Sequence, residues 1–400
     1  MSSQIAPNTS QARLVLLTCI LFFSYLCIGI SLPVVPIHVT GQLGFGNVWA
    51  GLAVGAVFFS TIATRGYAGH FSDRLGAKRA TLRGLAFYVI GALVSALSGM
   101  LVQTSWLSFS VLIVGRLVLG VGESLVAVGV ISWGISLVGP ANSGRVLALV
   151  GAAIYGALAL GGPIGLNLLE HFGFSGAMGV SALLSGLGIL AILPLAGSPA
   201  HPDVTRPSFA SVVRQIWQHG AIVCLQGIGF AAIGAFFALH FRALGWSHAG
   251  FGLTAFGVGF VLVRLFLGHL PDRMGALQLA IASLAVEAIG QALIWTATSP
   301  AQAFLGAFMT GLGCSLIFPA MGREVVHLIP SHLRGTALGG FTAFQDIAYG
   351  LTGPLAGFLA DRAGYGSVFL AGCCAAGTGI LVALMLCKAG EAGLKAKQPT

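Results

Sequence analysis

Arg116 and Glu123 stand seven residues apart in the run Gly115-Arg-Leu-Val-Leu-Gly-Val-Gly-Glu-Ser124, whose other members are apolar or small. On an α-helix that spacing is about two turns and roughly 10 Å of rise, so both side chains share a face. Burial and a neighbouring guanidinium act on a carboxyl in opposite senses, so a change in solvation there would load or release a proton. The same two residues would equally serve as a fixed ion pair between helices. Arg65, Arg264, Glu287 and Asp346 also fall in apolar stretches. An ionisable group at bilayer depth costs roughly 2.5 to 3.5 kcal/mol on insertion scales, which makes each a candidate for function. Asp346 has Thr342 and Tyr349 about one turn to either side. This polar stripe suits a cationic solute group, a second proton or a helix-packing hydrogen bond. Glu287 shares a face with Ser283 and Gln291, and an interhelical contact is the expectation for it.

A second constellation is repeated. Arg-x-x-x-Gly-His-x-x-Asp-Arg-x-Gly-Ala runs from Arg65 to Ala77 and again from Arg264 to Ala276, an offset of 264 − 65 = 199 residues. Gly120-x-Gly122 returns as Gly311-x-Gly313, and Gly162-Pro163 as Gly353-Pro354, both offset by 191. A period this long means two similar halves, not a solenoid of short repeats. The first copy continues to Lys78 and Arg79. Asp73 at a helix end beside Arg74 and Lys78 can pair with a cation or with the positive N-terminus of a neighbouring helix. Such a pair can act as a gate, or the charges can be a solvated topology signal.

The elements that must carry these residues are membrane helices. Of 400 residues, 56% are hydrophobic and 7% charged, against about 25% charged in soluble domains. Runs of roughly 20 apolar residues predict helices near 14–36, 47–71, 81–102, 105–130, 146–169 and 175–196. A second set follows near 218–241, 248–270, 277–298, 300–322, 336–359 and 366–387. The fold class is therefore an all-α polytopic membrane protein with twelve transmembrane helices in two pseudo-symmetric six-helix bundles. Its expected organisation is a first bundle over 1–196, a linker over 197–217 holding Pro199, Pro202 and Pro207, and a second bundle with a short tail over 218–400. The first apolar run extends to Pro36, too long for a signal peptide and without a small-residue cleavage site.

Net charge is +9, but no basic run is interleaved with aromatics, so nucleic acid is not expected as a partner. Fourteen Lys and Arg lie at the termini and in the loops after even-numbered helices, and only Arg242 and Arg362 in the opposite loops. That asymmetry places both termini in the cytoplasm. The seven cysteines include no Cys-x-x-Cys pair and read as small buried residues. Neither a metal nor a cofactor is expected. Hydrolase, zinc-protease and phosphate-loop motifs are absent, which argues against an enzyme and against ATP-driven transport by this chain alone.

Twelve helices in two halves, with Gly69-x-x-x-Asp73-Arg74-x-Gly76-x-Lys78-Arg79 between helices 2 and 3 and a degenerate copy containing Asp272 and Arg273 between helices 8 and 9, resemble the major facilitator superfamily. Arg116-x-x-x-Gly120-x-Gly122 looks like its proton-linked motif. Gly156, Gly162, Pro163 and Gly165 are similar to its antiporter motif, with one later glycine displaced. The run from Gly115 to Ser124, together with Arg65, resembles the bacterial drug and arabinose efflux-like group, many of whose members are uncharacterised. The resemblance implies a monomer in the bacterial inner membrane in which two bundles rock around a midplane cavity. It also implies proton coupling through Arg116, and an Asp73 that locks the halves in one access state. Helices 1, 4, 7 and 10 line the cavity in this family, which nominates Tyr25, Gln226, Phe230 and Phe318 for solute binding. The expected activity is proton-coupled efflux of a small amphipathic or sugar-like solute. A proton-coupled importer of a small metabolite, or a non-transporting sensor or scaffold, are the alternatives.

Overall fold

Apolar runs this long leave the backbone no water to bond, so the chain satisfies its own N–H and C=O groups within helices. The computed structural model describes residues 7–139, 143–197, 209–329 and 334–395. Among them every regular element is helical. The helices are α1 (Pro7–Ile37), α2 (Asn47–Leu75), α3 (Ala77–Met100), α4 (Ser105–Val138), α5 (Ser143–Ile192) and α6 (Phe209–Ala243). They are followed by α7 (Phe251–Phe266), α8 (Leu270–Arg273), α9 (Ala276–Trp295), α10 (Pro300–Leu328), α11 (Arg334–Ala363) and α12 (Gly366–Lys395).

Glycine sets three of the breaks. Gly76, at φ 89°, closes α2 with its N–H on the Ser72 carbonyl at 3.0 Å, a backbone that side-chain-bearing residues rarely adopt. Gly173, at φ 67°, divides α5 into two arms, and Gly364, 191 residues later, separates α11 from α12 at φ 78°. Among the described residues nine helices are long and apolar enough to cross a membrane, with α7 shorter. Counting the arms of α5 separately and including α7 and α11 gives twelve passes. The expected 248–270 helix stops at Phe266, and after a short break the separate turn α8 begins at Leu270, with Pro271 in its first turn where no N–H partner is needed. At the far end of α1, beyond Pro33 and Pro36, the chain widens into a π-helical turn, His38–Gln42.

The chain divides into two compact units, Met1–Thr205 and Arg206–Thr400. Residues 198–208 of the expected linker lie outside the described residues. Inside the first unit α3 packs on α4 and α1 on α5; inside the second, α9 packs on α10 and α6 on α11.

Close approach is the rule where glycines meet. A methyl group added to Gly122 would come within 2.8 Å of the Gly84 carbonyl, and one on Gly91 within 2.8 Å of the Gly115 carbonyl. The α9–α10 pair repeats this: Gly313 faces the Ser283 carbonyl at 2.6 Å and Gly290 the Gly306 carbonyl at 2.7 Å, measured the same way. In lipid, where burying apolar surface does not drive helices together, such contacts supply the association.

Candidate functional site

The polar centre of the first unit is built on α4. Gly120 lets α4 lie against the backbone of α2 at Val57, and Gly122 lets it lie against α3 at Gly84 and Tyr88. Both glycines of this motif are thus packing surfaces, and they hold Arg116 and Glu123 between three helices. Arg116 is fully buried. Its Nε donates to the Ala53 carbonyl of α2 at 3.1 Å and its Nη1 to Ser31 Oγ of α1 at 2.7 Å. Nη2 has no hydrogen-bond partner among the described residues. Ser31 Oγ in turn donates to the Ile28 carbonyl at 2.8 Å, so the guanidinium is oriented by a chain of acceptors from α1 and α2.

Glu123 is 4% exposed. The Thr61 hydroxyl of α2 donates to its Oε2 at 3.1 Å, with the carbonyls of Val57 (3.0 Å) and Gly120 (3.1 Å) as alternative acceptors for the same proton. Arg116 and Glu123 lie within electrostatic reach of each other, while the hydrogen bonds described for Arg116 go to Ala53 and Ser31. Fully buried Tyr88 of α3 completes the group, within reach of Glu123, Tyr25 and Cys27. Its hydroxyl has no hydrogen-bond partner among the described residues.

The other predicted residues take more varied places. Asp73 is half-buried at the end of α2, Arg74 and Arg79 are exposed, and Gly69 is half-buried. Lys78 bonds carbonyls of the turn just past α5, its Nζ donating to Leu193 O at 2.8 Å and to Leu195 O at 2.5 Å, the favourable place for a cation beyond a helix C-terminus. Arg273 is exposed, and the side chain of Asp272 lies outside the described residues. In the antiporter-like stretch, Gly165 meets the backbone of α1 at Ile30 and Gly156 has only a Phe22 ring carbon at 3.7 Å. Gly162 is buried and Pro163 half-buried within α5. Gly161, which sequence reasoning passed over, makes the backbone contact with Gly29 and Ile30.

Of the solute-binding candidates, Tyr25 belongs to the Arg116–Glu123 group. Phe230 is 4% exposed and packs between Phe256 (5.2 Å) and Tyr349 (4.9 Å), while Phe318 packs on Phe341 at 5.0 Å. Gln226 is buried in the second unit with its Oε1 unpartnered among the described residues. Asp346 is also buried, and the Thr342 hydroxyl one turn before it bonds its own helix at Gly339 O, 2.9 Å. Ser31, Thr61 and Tyr88 were not nominated from sequence; a small polar residue in an apolar helix gives no sign of which neighbour it faces.

The family model described as Major Facilitator Superfamily matches residues 17–241 and 220–400. The chain is 40% identical over 386 residues to "Uncharacterized MFS-type transporter STM4428" of Salmonella typhimurium (strain LT2), covering 96% of this chain and 98% of that protein. It is 39% identical over 388 residues to "Uncharacterized MFS-type transporter BMASAVP1_A0869" of Burkholderia mallei (strain SAVP1), covering 95% and 94%. Among solved structures it is similar to the inward-open xylose transporter XylE from E. coli, with a TM-score of 0.73 at 17% identity over 95% of this chain and 96% of that one. A structure of the nucleoside transporter NupG gives 0.72 at 15% identity over 93% and 98%. At these identities the likeness concerns the fold.

Proposed function

Because the chain belongs to the Major Facilitator Superfamily and is a multi-pass secondary transporter, not an enzyme, we propose that it couples proton movement to efflux of a small amphipathic or sugar-like solute. Glu123 carries this reading. It is a 4% exposed carboxyl at membrane depth, bonded by a neutral hydroxyl and within electrostatic reach of the Arg116 guanidinium. A hydroxyl suits a carboxyl in either protonation state, since it donates to the carboxylate and can also accept from the acid. Arg116 supplies a steady positive potential, and alternating access supplies the change in solvation that moves the proton.

Antiport within the drug and arabinose efflux-like group is the direction we favour, on the glycines of α5 that press on α1. The Lys and Arg asymmetry supports a bacterial inner-membrane protein with cytoplasmic termini. Asp73 remains our candidate for the cytoplasmic gate and Asp346 for a further proton or a cationic group. The fold neighbours are named for a pentose and for a nucleoside, so solute class is best sought with a mixed panel.

The test is proton flux in vesicles holding an imposed pH gradient, challenged with drugs, sugars and organic acids. A solute that dissipates the gradient in wild type but not in Glu123→Gln supports coupled transport with Glu123 as the carrier. Equal dissipation in both removes Glu123 from that role. Solute flux that ignores the gradient in either direction overturns proton coupling.

A further inference from the structure

The two units set their buried acids on one scaffold but on opposite helices. The offset within the third helix of each half is 199, and within the fourth it is 191. Glu287 of α9 therefore takes the place of Tyr88 in α3 (287 − 88 = 199), and Cys314 of α10 takes the place of Glu123 in α4 (314 − 123 = 191). The packing agrees: a methyl on Gly122 would meet the Tyr88 ring at 3.0 Å, and one on Gly313 would meet Glu287 Cβ at 2.8 Å. In the first unit the acid faces a tyrosine; in the second it faces a thiol.

Glu287 is fully buried, and neither carboxyl oxygen accepts a hydrogen bond from an N–H or O–H group of any described residue. From α10 the Cys314 thiol lies against it, and that thiol also approaches Gln226 of α6. A thiol is a weak donor. Oε1 rests on the backbone of α6 at Gly229. One turn along α9, fully buried Gln291 donates to Gly229 O and Thr310 Oγ1, both at 3.2 Å, and turns its Oε1 to α12 at Gly372. The turn α8 adjoins the start of α9, about 16 Å of helix rise from residue 287. Among the described residues no cation faces the carboxyl.

A glutamate kept only to join helices would be expected to hold donors, since buried polar groups are almost always bonded. An ionised carboxylate in this setting would have only the weak Cys314 thiol to offset its desolvation. We propose that Glu287 is a second proton-exchanging site, in the C-terminal half, matching Glu123 in the N-terminal half. This rests on the proton-coupled reading above. While buried it is the neutral acid. When its face opens to water the carboxyl O–H bond breaks and the proton passes to water, and in the reverse step the carboxylate takes a proton from water. No other reactant is needed.

The full chain in lipid nanodiscs, stepped between acid and alkaline buffer under infrared difference spectroscopy, tests this with protons alone as the probe. The carboxylic-acid C=O band of wild type should lose one component in Glu287→Gln and a different one in Glu123→Gln. If Glu287→Gln superimposes on wild type while Glu123→Gln does not, the inference fails and the proton-coupled reading stands; if neither changes the band, both fail. A second readout uses a chain whose other six cysteines are alanine, labelled with N-ethylmaleimide at one pH. In alkaline buffer a carboxylate at 287 would suppress the Cys314 thiolate that reacts, so Glu287→Gln should speed labelling of Cys314 several-fold, and an unchanged or slower rate overturns the proposal.

Discussion

The guanidinium of Arg116 joins α1 to α2 through Ser31 and Ala53, and the geometry needs two separated N–H donors. Lysine keeps the charge but cannot direct two donors at fixed angles. Arg116→Lys should therefore retain expression yet lower solute-dependent proton flux by at least about tenfold, equivalent to roughly 1.4 kcal/mol. Ser31→Ala, which removes the hydrogen bond from Arg116 and the one to Ile28 O, should lower thermal stability by about 1 to 2 kcal/mol with a smaller loss of flux; melting in detergent alongside vesicle flux separates the two. Thr61→Val should alter the pH profile of flux by removing the hydroxyl from Glu123, while Thr61→Ser, which keeps it, should restore the wild-type profile. Arg116 and Glu123 were legible because charge in an apolar run is rare. Their partners were not, since Ser31, Thr61 and Tyr88 resemble the many polar residues that bond their own helix.

At the level of single helices, the glycines divide into those that touch backbone and those that do not. Gly122→Ala forces a methyl to within 2.8 Å of the Gly84 carbonyl, and overpacking of this kind costs about 1 to 3 kcal/mol. Gly156→Ala, with its nearest atom at 3.7 Å, should instead be neutral or stabilise by up to about 1 kcal/mol through helix propensity. Melting temperatures of the two variants in the same detergent check the contrast. Lys78→Met should lower stability by about 1 kcal/mol by freeing two terminal carbonyls. A large loss of transport at nearly unchanged melting temperature would favour a gating role for Lys78 instead. Helix number and approximate bounds were legible from hydropathy. Helix faces were not, because lipid and protein interior are both apolar and the period that marks a buried stripe in soluble helices is weak. The interhelical contact expected of Glu287 is made with α6 and α10, partners that its place in the sequence does not identify.

Across the whole chain, the division into Met1–Thr205 and Arg206–Thr400 matches the period of the sequence repeat. Each unit has its own packed interior, so the halves expressed as two separate chains should reassemble; co-purification followed by vesicle flux at a substantial fraction of the intact level is the check. The repeat was visible in the loop motif and in glycine spacing because these are backbone requirements that tolerate little change. Asp73 and Asp272 follow that period, but the acids buried between the third and fourth helices do not. A carboxyl stands on the fourth helix of one half and on the third helix of the other, over the same glycine contacts. The glycine scaffold repeats between the halves, while the acid stands on one wall of the seam in the first and on the other wall in the second. A chimera built from two N-terminal halves would set a glutamate on the fourth helix of both, a mirror-like pair that this chain does not have.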